Sequence, residues 1–154
     1  MFGRLTIEAL QHDLVVTGAQ VSMVLGALTV IGFLTYTKRW KWLWQEWLTS
    51  LDPKKIGVMY IIVAVLMLMR GVVDAGMMRL QQALAADSSG FLTSDHFQQI
   101  FTAHGTIMIF FVAMGLMFGL INLIVPLQIG SRDVAFPFLN SVSFWLFVAG
   151  MMLV

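Results

Sequence analysis

Few side chains in this sequence are able to do chemistry, and several of them stand in stretches otherwise suited to lipid. Arg70 and Asp74 lie four residues apart, one helical turn, so on a helix they share a face and can neutralise each other. Ionisable groups inside a membrane cost several kcal/mol unless paired or hydrated, which makes each a functional candidate. Two roles are open to the pair: an internal ion pair holding helices in register, or a polar ligand site at lipid depth. His104 stands between Ala103 and Gly105, whose small side chains let a flat macrocycle approach the backbone. Its imidazole suits either axial ligation of haem iron or packing with a hydrogen bond to a neighbouring helix. His96 cannot supply the second axial ligand, because eight residues of helix span about 12 Å, and that ligand is expected outside this sequence.

His96 and Gln99 are three apart and share a face if the helix begins that early. They are expected at the membrane level of Arg70 and Asp74. A cation, a carboxylate, an imidazole and an amide together can hold both oxygens of a quinone head while its tail stays in the bilayer. Taken alone, His96 and Gln99 would simply solvate a helix end. Asp133 falls between two apolar stretches, where a helix N-cap is its plainest role. Asn122, expected on the last turn of the third stretch, and Asn140, inside the fourth, can line a hydrated path inward from it.

The elements that position these groups follow from composition. Hydrophobic types make up 59% of the 154 residues and charged types 11%, far below the roughly 25% charged residues of a soluble domain. The fold class is therefore all-α, a polytopic transmembrane helical bundle, since only helices satisfy every backbone group within a single segment in lipid. Zero cysteines leave histidine and carboxylate as the strong metal ligands. The net charge of +1 offers no basic field for nucleic acid.

About 20 apolar residues are needed per span, and four stretches qualify: about 14–37, 56–78, 97–125 and 134–154. The last is still apolar at Val154, so the C-terminus is expected to be a truncation. No cleaved leader is expected in the first 14 residues, where Arg4 is offset by Glu8 and Asp13. Lys38, Arg39, Lys41, Lys54 and Lys55 crowd the first connection, which puts that loop in the cytoplasm and the N-terminus outside. Trp40, Trp44 and Trp47 beside those lysines predict a short interfacial helix at the headgroups rather than a cofactor box.

The stretches FTAHGTIMIFFVAM (101–114) and NLIVPLQIGSRDVAFPFLNSVSFW (122–145) resemble two conserved helices of haem-copper oxidase subunit I. The extra first span, WLTSLDPKKIGVMYI (47–61) and RGVVDAGMMRLQQAL (70–84) are similar to the cytochrome bo-type ubiquinol oxidases within that family. The resemblance covers nearly the whole chain, most weakly in the first 13 residues. It implies that His104 ligates a low-spin haem b, that Arg70, Asp74, His96 and Gln99 bind ubiquinol, and that Asp133, with Asn122 and Asn140, admits protons. It further implies a respiratory proton pump in a bacterial inner membrane, assembled with other oxidase subunits and membrane lipid, its N-terminus periplasmic. Electrons would pass through haem b to a high-spin haem and copper that reduce oxygen to water. The ligands of that centre are expected outside these residues, so this stretch alone is expected not to catalyse the reaction.

Two positions depart from the family pattern: Gly115, where proline is usual, and Pro53, where histidine often follows the aspartate. The rival donors are menaquinol and cytochrome c, and a non-enzymatic helical subunit is the rival of another class. Sequence beyond Val154 would separate the latter, since an oxidase requires further histidine-bearing spans there.

Overall fold

A computed structural model describes residues 14–86 and 90–154. The expectations for the N-terminal tail, with Arg4, Glu8 and Asp13, and for part of the outer loop at residues 87–89 lie outside these. The chain divides into two units, residues 1–45 and 46–154. In the first, helix α1 (Leu14–Tyr36) carries threonines whose hydroxyls would be unpaired in lipid. Thr29 and Thr35, and Thr37 just past its end, instead donate to the carbonyls four residues back, each at 2.7 Å, which satisfies them locally. After a turn with Lys38 at φ 53°, the short helix α2 (Trp40–Trp42) begins with Trp40, whose Nε1 donates to Thr35 Oγ1 at 3.1 Å. A π-helical turn, Leu43–Leu48, follows.

The second unit is built on two long helical rods. Helix α3 (Pro53–Leu84) starts where Asp52 accepts a bond from the Lys54 amide and where Pro53, needing no donor partner, takes the first position. The other rod runs Ser94–Gln128 as α4 (Ser94–Thr106), a π-helical turn (Ile107–Ala113) and α5 (Met114–Gln128). These two rods are long and apolar enough to cross a membrane. Helix α6 (Pro137–Met152) follows a loop with Gly130 at φ 66°. No strand occurs among the described residues.

Sequence dictates how the rods meet. The buried residues of α3 include Ile56, Tyr60, Ala64, Met67, Gly71 and Asp74, a repeat of three and four that forms one seam. Against it α4 and α5 run antiparallel, and small residues set the spacing. A Cβ on Gly57 would lie 2.8 Å from the Gly119 carbonyl, and one on Gly119 2.9 Å from that of Gly57. The two backbones therefore touch, as in membrane interfaces made of small residues. Farther along, a Cβ on Gly115 would lie 3.1 Å from Ala64 Cβ, and one on Gly71 2.8 Å from Met108 Sδ. Gly115 thus stands where α3 and Phe147 leave little room for anything larger. Trp47 packs on the cluster of Ile56, Met59, Tyr60 and Phe144.

Candidate functional site

The half of the α3–α4 pair next to the 85–93 loop gathers one set of the expected groups. His104 Nδ1 lies 3.1 Å from the Gly71 carbonyl. A carbonyl only accepts, so Nδ1 carries the proton in this bond and Nε2 is left as the ring's lone-pair nitrogen. The bond fixes both the tautomer and the ring direction, as a partner behind a metal-bound imidazole does. Gly105 next to it would place a Cβ in open space, with nothing within 4 Å. These features fit an axial haem ligand on one face of a macrocycle. Among the described residues no group of three or more His, Cys, Asp or Glu could hold a metal ion.

Asp74 follows Gly71 by one turn on the same seam, only 8% exposed, and its Oδ2 is buried with no hydrogen-bond partner. Arg70 and His104 are the titratable groups near enough to act on it electrostatically. The expected neutralising contact with Arg70 is absent, however. Asp74 points into the seam while Arg70, one position off it, is half-buried and donates from Nη2 to the Val154 carbonyl at 2.9 Å. The ion pair present among the described residues is Lys55 with Glu46, at 2.5 Å near the start of α3.

His96 and Gln99 both stand on α4, whose helix begins at Ser94 under a Thr93 cap. Three residues of helix place them on one side, with His96 half-buried and Gln99 exposed. The register corrects the expected level of His96. Because His104 meets Gly71 and Leu92 meets Gln81, His96 lies nearer the 85–93 loop than Arg70 by about eight residues, roughly 12 Å. The four groups are spread along the helix pair, with Gln99 between His96 and Asp74.

A second set lies at the opposite end of the bundle. Asp133, exposed, lines a cleft of about 430 Å³ with Leu51, Asp52, Pro53, Lys54 and Arg132. It is not the N-cap of α6: that position is Phe136, which makes no side-chain cap bond, and Pro137 follows it. Asp133 Oδ1 instead accepts from the Val134 amide at 2.9 Å, and the Ser131 hydroxyl donates to the Asp133 carbonyl at 2.6 Å. The loop turns on itself before the helix starts, and a proline at the first position leaves one fewer free donor to cap.

Asn122 and Asn140 meet directly, Asn140 Nδ2 donating to Asn122 Oδ1 at 2.7 Å. Asn122 stands two turns inside α5, not on its last turn. The contact extends farther than residue type and spacing alone indicated. Ser143 Oγ donates to the Asn140 carbonyl at 3.0 Å, and the Tyr60 hydroxyl bonds Ser143 Oγ at 2.9 Å. The signal for Ser143 was its place three residues after Asn140 on one helix face. Tyr60 had none, since its partner is 83 residues away.

A model of the family Cytochrome C and Quinol oxidase polypeptide I matches residues 55–154. The chain belongs to this family. It is accordingly an all-α polytopic membrane protein. Among its relatives are quinol oxidase subunit 1 of Bacillus subtilis, 60% identical across 92% of this chain and 21% of that protein, and cytochrome bo(3) ubiquinol oxidase subunit 1 of Buchnera aphidicola, 56% identical across 99% of this chain and 24% of that protein. A probable cytochrome c oxidase subunit 1 of Bradyrhizobium diazoefficiens is 52% identical across 100% of this chain and 23% of that protein. The chain thus spans less than a quarter of the length of each relative.

Proposed function

We propose that this chain is the stretch of a ubiquinol oxidase subunit I that receives quinol, carries one ligand of a low-spin haem b and admits protons from the cytoplasm. One observation carries the reading: a buried carboxylate oxygen of Asp74 without a partner, one turn from the carbonyl that orients His104. An unpartnered buried acceptor is costly, and a quinol hydroxyl is a donor that lipid can deliver to that depth. Asp74 accepts the proton of one hydroxyl while Arg70, its charged neighbour, steadies the negative charge developing on that oxygen. His96 and Gln99, farther out on α4, hold the opposite end of the ring. Haem bound through His104 Nε2 supplies the one-electron acceptor; the chain's part is to hold the imidazole in one tautomer and direction.

At the inner face Asp133 collects protons from the cleft, and Asn122, Asn140, Ser143 and Tyr60 lead them inward. The high-spin haem and copper, the other oxidase subunits and a bacterial inner membrane with the N-terminus periplasmic belong to the same reading. The names of the Buchnera and Bacillus relatives favour quinol over cytochrome c as donor. The test is His104→Ala in the complete enzyme. Reduced-minus-oxidised spectra are expected to lose the low-spin signal, and an unchanged signal in assembled protein overturns the assignment.

A further inference from the structure

A buried glutamine lies on the α3 seam two turns beyond Asp74. Gln81 is 9% exposed, and its Oε1 accepts from both the Phe91 and the Leu92 amides at 2.8 Å while Nε2 donates to the Leu92 carbonyl at 3.3 Å. One side chain thereby satisfies three backbone groups of the outer loop, which no secondary structure pairs. Gly90 lets the loop come this close: its φ is +68°, and a Cβ there would overlap the Gln81 amide. Leu92, 7% exposed, is tucked in by the same bonds. The next residue, Thr93, caps α4 and accepts from the His96 amide at 3.4 Å.

Helix α4 is thus pinned to α3 at both ends, by Gln81 at Leu92 and by Gly71 at His104. His96 and Gln99 stand between the two pins. We infer that Gln81 is a positioning residue of the quinol site: it touches no substrate, but it sets where His96 and Gln99 stand relative to Asp74 and Arg70. This rests on the quinol-binding reading of those four residues. Removing the amide frees the outer end of α4 while Asp74, Arg70 and the His104 pin stay on untouched backbone. The loss therefore falls on substrate binding by the α4 groups rather than on haem.

The test uses the complete enzyme with ubiquinol and, separately, an artificial donor that reduces the haems directly. Gln81→Leu removes these bonds at similar size; KM for ubiquinol is expected to rise about tenfold, with kcat held within about twofold. The low-spin spectrum and the rate with the artificial donor should not move. Gln81→Glu keeps the oxygen that accepts from Phe91 and Leu92 and is expected to stay within about threefold of the parent KM. Gly90→Ala, which crowds the amide from the loop side and leaves the α3 sequence unchanged, should reproduce the Gln81→Leu rise. Assembled Gln81→Leu and Gly90→Ala enzymes with unchanged KM overturn the inference, as does loss of rate with both donors in proportion to haem content. Should Gln81→Leu not assemble, Gly90→Ala and Gln81→Glu decide alone. Asp74→Asn run alongside separates the failures: if it too leaves quinol kinetics unchanged, the quinol site itself is misassigned; if it is impaired while KM holds in the others, only the role of Gln81 falls.

Discussion

Replacing Asp74 by asparagine changes one atom type at the centre of the proposed quinol site. Oδ2 has no partner among the described residues, and no ion pair joins Asp74 to Arg70 there, so the substitution breaks none of the bonds described. The amide NH2 faces the same space, and stability should change by less than about 1 kcal/mol. The functional effect is larger. A hydrogen bond between a charged group and a substrate hydroxyl contributes about 1.5–3 kcal/mol. At about 1.4 kcal/mol per factor of ten, its loss lowers kcat/KM for ubiquinol by about 10- to 150-fold. The amide also cannot take up the proton that the hydroxyl gives away, so kcat should fall together with kcat/KM. Oxygen consumption by the purified complete enzyme is the assay, with ubiquinol and with an artificial donor. The expected result is a loss confined to quinol. Equal losses with both donors would trace the effect to haem or assembly, and unchanged quinol kinetics would return Asp74 to a packing role.

Other substitutions probe the frame and the inner end. Gly119→Ala must push Ile61 and the Gly57 carbonyl aside, a backbone contact that cannot yield, so thermal melting of the complex should show a loss of about 1–3 kcal/mol; Gly71→Ala meets only the movable Met108 thioether and should cost less, and equal losses would refute the backbone-contact reasoning. Asp133→Asn keeps the oxygen that accepts from Val134 and should fold normally, yet in sealed vesicles proton pumping per electron should diminish, because an amide does not ionise near neutral pH; full pumping would leave Asp133 as a loop residue.

Much of the architecture was legible because the bilayer restricts the options. Long apolar runs with few charges have no alternative to helices, and the α3 seam from Ile56 to Asp74 could be counted in threes and fours. The same count places Gln81 on the seam, a clue available in the residues but overlooked because glutamine near a helix end reads as surface. What could not be read were the partners across the bundle. Nothing local announces that the Gly71 carbonyl serves His104, or that Tyr60 meets Ser143. Backbone carbonyls carry no side-chain signature, and contacts across tens of residues depend on the crossing of two helices.

That crossing also explains the errors. Counting depth from the end of an apolar run at 1.5 Å per residue assumes that a helix begins where hydrophobicity begins. Helix α4 begins at Ser94 instead, since Thr93 caps it and Gln81 holds the preceding backbone. His96 is carried toward the 85–93 loop by that start. Asp133 fails as a cap for the converse reason: the apolar run resumes at Val134, but α6 waits for Pro137. In both places polar bonds to the backbone, not the hydrophobic pattern, decide where the helix starts. A residue's depth is then set by the contacts that lock the register, here Gly57 on Gly119, Gly71 on His104 and Gln81 on Leu92. All three use the backbone of at least one partner, so they constrain sequence chiefly by demanding small residues or one amide at single positions. A site assembled across α3 and α4 therefore depends on residues that touch neither the quinol nor the haem.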